Sequence, residues 1–296
     1  MSKGLASTYY QNMDVRCEIA RFARDRWVGL RCSGKGSDGR PLIIRYMGGG
    51  RFPLKIDGPS DVVEIIRRYG WLEPRSFYAT ANIYRNLNSV DDVSNLSNIV
   101  GCTATWDIDN DLERWRETIA AAKQIVSFLE DNGVSKSVFV KWSGEGCHVH
   151  LHHKSISPEM FGKASPLDLA YSIVEYVNLK LNLKYKALTS ESFSSRLIVE
   201  NEMDQQRLFS CPLTLHWKID KVCVCISPND LDRFTPEWAS LEGYRHYDGW
   251  DRYVVGEADH LASKAYETVG PRPSKPRVKR RHLPLDVEIN RFMGLR

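Results

Sequence analysis

An apolar, β-branched run, Ile99 to Asp109, ends in two aspartates one residue apart: Thr105-Trp106-Asp107-Ile108-Asp109. A run this apolar fits a strand in the middle of a sheet rather than at its edge. In a strand, residues i and i+2 point to one face, so Asp107 and Asp109 project side by side from its end. A second segment constrains the fold almost as strongly. Trp142-Ser143-Gly144-Glu145-Gly146-Cys147-His148-Val149-His150 places a glycine turn between two strand-like stretches, Ser137 to Trp142 and Cys147 to His152. Paired carboxylates suit an oxygen-liganded Mg²⁺ or Mn²⁺. A glycine turn presents backbone N–H groups to phosphate, and His148 can add a charge-assisted contact. Together they point to metal-dependent nucleotidyl transfer.

Each feature also has a plainer reading. Acids at a strand end leading into a helix are favoured by the helix dipole alone. Glycine turns are common. His148, His150 and His152 share a face by the period of two and could be read as a zinc set, but three ligands on one strand meet a metal at poor angles. Trp106 and Trp142 flank both segments and fit core positions better than stacking platforms.

The 296 residues suffice for one large domain or two smaller ones, and 42% hydrophobic content supports a substantial core. The net charge of +4 is compatible with nucleic acid without requiring it. Seven cysteines are scattered without a CxxC pair, so neither a zinc knuckle nor a disulfide framework is indicated. Free thiols in apolar runs fit a reducing compartment. No signal-peptide layout or membrane-length apolar run is present, so a soluble intracellular protein of cytoplasm or nucleus, without a membrane partner, is expected.

Helical spacing over 14–28 predicts a first helix, and Pro41 to Met47 a strand. A short helix follows from Ser60 to Tyr69, and Ser76 to Tyr84 reads as a strand. Asn110-Asp111-Leu112-Glu113 has the pattern of a capping box, opening a helix to about Leu129. Ser165-Pro166 opens another to Leu181. Strands are expected at Leu197–Glu200, Arg207–Phe209 and Lys221–Ile226, and a last helix from Ala258 to Thr268. The segment Pro271–His282 holds three prolines, six Lys or Arg and no acid. It reads as an exposed basic tail over 271–296, after a domain over 1–270.

The ordered set resembles the archaeo-eukaryotic primase superfamily, and within it the catalytic small subunit of DNA primase. Asp107 and Asp109 match its DxD motif. Ser143, Gly144, Gly146 and His148 match its S-G…G-x-H turn. Asp204, Arg207, Pro212, Thr214, His216 and Lys218 match an Asp before R…P-x-S-L-H-x-K. Asp230 to Pro236 looks like the closing D-x-F-x-P element, Pro74 to Tyr78 like the strand before DxD, and Ile44-Arg45-Tyr46 like an R-Y strand whose arginine lies near the active site. Three features depart from the pattern. The turn has Glu145 where Arg-Arg is common, Ser210 stands where a basic residue usually lies six before the histidine, and the structural zinc knuckle is missing.

The resemblance implies an α/β (α+β) fold, a mixed RRM-like sheet flanked by helices. It implies that the domain over 1–270 is catalytic, with a motif-bearing core over about 40–240. It implies a primase or primase-polymerase in which Asp107, Asp109 and Asp204 hold two Mg²⁺ or Mn²⁺ ions. His148, Lys218, Arg207, His216 and Arg45, with Ser143, Gly144 and Gly146, would bind the nucleoside triphosphate, and single-stranded DNA would be the template. A true small subunit would have a large-subunit partner. Rival readings are an end-joining repair polymerase, a catalytically weak nucleic-acid-binding subunit and a metal-dependent phosphoesterase.

Overall fold

The computed structural model describes residues 4–35, 39, 41–183 and 197–273, so most of the basic tail, including Lys275, Arg277, Lys279, Arg280 and Arg281, lies outside the described residues. The chain divides into two compact units. The first comprises the described part of residues 1–100 together with Leu208–Asp220; the second comprises Gly101–Arg207 and Lys221–Arg272.

A four-stranded antiparallel sheet organises the first unit, in the order Leu208–Ser210, Pro74–Thr80, Val28–Lys35, Pro41–Ile44. Val28, Leu30 and Cys32 face the core, as do Phe77 and Ala79. The helix Met13–Ala23 packs on this sheet and on the helix Pro59–Arg68. It buries Val15, Ile19 and Phe22, and Asn12 caps it by accepting from the Asp14 N–H. In the second helix Pro59 sits at the first turn, and Asp61 accepts from the backbone N–H of Asp57 and Gly58. The first helix ends at Ala23, short of the end expected from its apolar spacing, because Asp25 turns to φ 58°. The chain then enters Val28–Lys35, a central strand that the sequence pattern did not predict.

The second unit is built on a five-stranded antiparallel sheet, in the order Ile198–Glu200, Ala104–Asp109, Cys147–Leu151, Val138–Trp142, Val224–Ile226. The Asp107 strand is thus interior, as its apolar run demands. The helices Trp115–Asp131 and Pro166–Leu181 pack on the Ala104–Asp109 strand, and the former also on Cys147–Leu151. Trp106 is fully buried, its Nε1 donating to the Val174 carbonyl at 3.3 Å. Trp142 is equally buried against Phe234, so both tryptophans are core residues. A buried side chain of this size costs about 3–5 kcal/mol to truncate to alanine.

Several local boundaries move. Asn110 does not cap a helix; Leu112–Arg114 is a 3₁₀ turn and the α-helix starts at Trp115. Ser165 does cap its helix, accepting from the Asp168 N–H at 3.1 Å. His152 falls just beyond its strand. Among the described residues no helix is long and apolar enough to cross a membrane.

Candidate active site

The register of the second unit's sheet lines up one row of side chains. Glu200 lies opposite Asp107, Asp107 opposite His148, His148 opposite Lys141, and Lys141 opposite Cys225. Directly opposed residues on antiparallel strands share a face. The row therefore passes from two carboxylates through an imidazole to a lysine. Trp106, Ile108, Cys147 and Val149 occupy the opposite, core-facing side.

Asp107 is 5% exposed and Lys141 is fully buried. His148 Nε2 lies 3.0 Å from Asp107 Oδ1, and the Arg207 guanidinium ion-pairs with Asp107 Oδ2 and with Glu202. Burial alone would raise the Asp107 carboxyl. His148, Arg207 and Lys141 outweigh it and hold the group below the usual carboxylate range. Asp109 moves the other way. Partial desolvation, then the charge of Asp107, with Glu200 adding, raise its pKa against His148 and Arg207.

The glycine turn is tightly closed. The Ser143 N–H donates to the Gly146 carbonyl at 2.9 Å, Ser143 Oγ donates to the same carbonyl at 3.1 Å, and the Gly146 N–H donates to Ser143 Oγ at 3.3 Å. Gly144 takes φ 118°, a backbone that favours glycine. Space is tight at Gly146: a Cβ there would stand 3.1 Å from Asp109 Oδ1 and 3.1 Å from the Ile108 carbonyl, and these neighbours would have to give by a few tenths of an ångström. The expected hydrogen bonds from Ser143 and the Gly146 backbone to phosphate are, in this turn, made to each other.

Asp204 is placed differently from Asp107 and Asp109. Its Oδ1 accepts from the backbone N–H of Gln206 at 2.7 Å and of Arg207 at 2.6 Å, closing an Asx-type turn. Among the described residues no three His, Cys, Asp or Glu side chains stand close enough to enclose a metal ion. The donor chemistry nonetheless fits a hard cation. Asp107, Asp109 and Glu200 offer carboxylate oxygens, and after desolvation the charges of Asp107 and Glu200 help raise the Asp109 carboxyl.

The other two histidines of the segment have structural partners. His150 Nδ1 lies 2.8 Å from Thr105 Oγ1, and its ring stacks on Phe139. His152 Nε2 meets Asp251 Oδ1 at 2.9 Å.

His216, Lys218 and Arg45 belong to the first unit. Arg75, 4% exposed, anchors the segment after Pro212: its Nε donates to the His216 carbonyl at 2.9 Å and its Nη2 to the Ile219 carbonyl and Asp220. Thr214 Oγ1 accepts from the Phe77 N–H at 2.7 Å, and Ser76 Oγ donates to the Leu215 carbonyl at 2.6 Å. Burial, then the cations Arg75, Arg31 and Lys218, push the His216 ring down to about 4. Its Nδ1 accepts from the N–H of Lys218 and Ile219, so the proton of the neutral ring is on Nε2. The Arg45 guanidinium carbon lies over the Trp27 ring, 3.4 Å from its centroid.

Sequence reasoning missed Glu200 and Lys141. Glu200 precedes the Asp on which the motif was aligned, and Lys141 reads as an ordinary strand residue. The usable signal was the period of two, which puts Phe139 and Lys141 on one face of their strand and Ile198 and Glu200 on one face of theirs.

Sequence comparison finds no matching family model and no matching curated protein. Structure comparison is informative. The polymerase domain of Mycobacterium tuberculosis ligase D, solved in complex with DNA, is 12% identical and superposes at a TM-score of 0.56 over 91% of this chain and 90% of that one. The AEP domain of the cyanophage S-2L primase-polymerase, also 12% identical, covers 75% of this chain and 96% of its own at a TM-score of 0.33, below what establishes a common fold. The arrangement of helices and antiparallel sheets therefore shares the fold of the ligase D polymerase domain.

Proposed function

We propose that this chain catalyses DNA-templated nucleotidyl transfer and acts as a primase or primase-polymerase on single-stranded DNA. The observation that carries the reading is the row Glu200, Asp107, His148, Lys141, with Asp109 beside it over Gly146. It sets acidic oxygens next to buried cationic groups on one sheet face. The fold shared with a polymerase domain solved with DNA supports the templated reaction.

In the reaction a 3′-hydroxyl oxygen bonds to the α-phosphorus of a nucleoside triphosphate, and the bond to the bridging oxygen breaks to release pyrophosphate. Asp107, Asp109 and Asp204 would hold divalent Mg²⁺ or Mn²⁺, and Glu200, opposite Asp107, offers a further carboxylate. When bound, such ions lower the pKa of the attacking hydroxyl and neutralise the triphosphate and leaving group. His148 and Lys141 keep Asp107 ionised and supply positive charge toward phosphate oxygens. Arg207 neutralises Asp107 and Glu202, and cation loading would free its guanidinium for an anionic substrate. His216, through Nε2–H, and Lys218 contribute phosphate contacts in the first unit, with Arg45 assigned the same part. A large-subunit partner remains an expectation of the resemblance alone.

The test is synthesis on single-stranded DNA without primer, with Mg²⁺ or Mn²⁺ and both ribo- and deoxynucleotides. Dinucleotide and longer products, with pyrophosphate released, are expected. Extension only of a pre-annealed end across a gap would favour the repair-polymerase reading. Template binding without incorporation would favour a binding subunit, and orthophosphate or monophosphate release without extension a phosphoesterase.

A further inference from the structure

Two arginines flank the His216 segment, and their surroundings differ. Arg75 has its donors engaged by the His216 and Ile219 carbonyls and by Asp220. Arg31 rises from the central strand Val28–Lys35, on the side opposite the buried Leu30 and Cys32. Its guanidinium carbon lies over the Trp217 indole, 3.7 Å from the ring centroid. Its strand neighbours in register are Ser76 and Ile43, neither of them acidic. Among the described residues Arg31 forms no ion pair, and its Nε, shielded from solvent, has no acceptor.

This arrangement is unfavourable without a ligand. A shielded guanidinium N–H with no acceptor forfeits a hydrogen bond, and contact with the indole recovers only part of that. The contact also does something useful: it restrains the guanidinium, whose planar fork of N–H groups can take two oxygens of a phosphate at once. Beside it stand the exposed Lys218 and the neutral His216, whose Nε2 carries a proton. Small residues keep the floor low. A Cβ at Gly29, one position before Leu30 on the same strand face as Arg31, would meet Leu208 Cδ1 at 2.7 Å.

We propose that Arg31, held by Trp217, is a phosphate-binding residue that acts with His216 and Lys218 on the phosphates of a nucleotide. The inference rests on the nucleotidyl-transfer reading and extends it to Arg31, which lies outside every motif of this chain, and to Trp217, the variable position between His216 and Lys218. The same phosphate chemistry occurs in a free triphosphate and in a DNA backbone, so the experiment uses both.

Binding to the full chain is measured by calorimetry with three probes: inorganic tripolyphosphate, a nucleoside triphosphate, and a single-stranded oligonucleotide without terminal phosphates. Arg31→Ala should weaken tripolyphosphate and nucleotide binding roughly ten- to a hundred-fold, as loss of a charge-assisted pair does. Arg31→Lys should recover only part of this, since an ammonium lacks the planar fork. Trp217→Ala, which removes the stacking face, should weaken the same probes, and circular dichroism melts of every variant show that the losses occur in folded protein. If only the oligonucleotide weakens, the site stands with a DNA strand as its source of phosphate. Unchanged binding of all three probes in a folded Arg31→Ala protein would overturn the proposal. The two readings fail separately. A chain that binds tripolyphosphate through Arg31 but incorporates nothing loses the function and keeps the site. A chain that incorporates nucleotides with an unaltered KM in Arg31→Ala loses the site and keeps the function.

Discussion

Replacing Glu200 by Gln tests whether the cross-strand carboxylate adds to the one the motif alignment chose. Glu200 pairs directly with Asp107, which makes Asp109 its diagonal neighbour. Diagonal positions on antiparallel strands lie roughly 7–8 Å apart. At that distance, with an effective dielectric constant of about 20, a unit negative charge attracts a divalent cation held at Asp109 by roughly 4 kcal/mol. Asp109 is open to solvent, so about half of that is realistic, roughly 2 kcal/mol or a thirty-fold loss of ion affinity. Mn²⁺ titration followed by electron paramagnetic resonance measures this without turnover. An ion-free readout accompanies it: the Glu200 charge raises the Asp109 carboxyl, so Glu200→Gln should lower its pKa in a carboxyl NMR titration. Asp204→Asn keeps an oxygen for the Gln206 and Arg207 N–H groups and, with its ligand charge lost, should also weaken Mn²⁺ binding. A loss in Asp204→Asn with none in Glu200→Gln would refute the reasoning and leave Glu200 outside the metal site.

Three shorter predictions follow from the same geometry. Gly146→Ala should fold, at a cost of about 1–3 kcal/mol in a denaturant melt, yet displace the Asp109 carboxylate and lower nucleotide incorporation by up to roughly a hundred-fold, since its Cβ would stand 3.1 Å from Asp109 Oδ1; parental activity would remove Asp109 from the chemistry. Lys141→Met should raise the Asp107 carboxyl pKa, because the Lys141 charge lowers it, without reducing the melting temperature, as apolar replacements of buried charges often do; an unmoved Asp107 titration would contradict the row. His216 titrates near 6.5 when unperturbed and is pushed down to about 4 in the fold. Unfolding therefore takes up a proton in between, and stability should fall as pH drops from about 6.5 to 4. His216→Gln should flatten that slope in pH-dependent denaturant melts, and an unchanged slope would show the ring to be freely protonated.

The Asp107 strand and its hairpin were legible because local pattern and tertiary role agree there. A β-branched run belongs inside a sheet, and a glycine turn between two such runs pairs them. The strand Val28–Lys35 was hidden because Gly29 and Gly34 look like turn residues. At Gly29 the Leu208 and Ile43 side chains crowd the place of a Cβ, which would meet Leu208 Cδ1 at 2.7 Å. Leu208 is so remote in sequence that no local window shows the crowding. Glu200 illustrates the same limit at the site. Motif spacing weighs residue type and order, whereas strand register decides which carboxylate lies opposite Asp107. The Asn110 cap failed because the turn Leu112–Arg114 winds as 3₁₀ before the α-helix begins.

The return of the chain to its first unit at Leu208 has a consequence for how the protein folds. The N–H of Phe77 is bonded to Thr214, 137 residues onward, and the Tyr10 hydroxyl receives the N–H of Leu215, 205 residues onward. Closing a flexible loop of the first length costs about 4 kcal/mol in chain entropy before any contact offsets it. A ribosome therefore releases the first hundred residues long before the edge strand Leu208–Ser210 exists to finish their sheet. Until then the Pro74–Thr80 strand has an unpaired edge, a template for association with other chains. The hairpin of Val138–Trp142 and Cys147–Leu151, whose pairing is local, can order first and shorten the remaining search. Refolding should accordingly show two phases, with amide protection in the Cys147–Leu151 hairpin preceding protection of Pro74–Thr80.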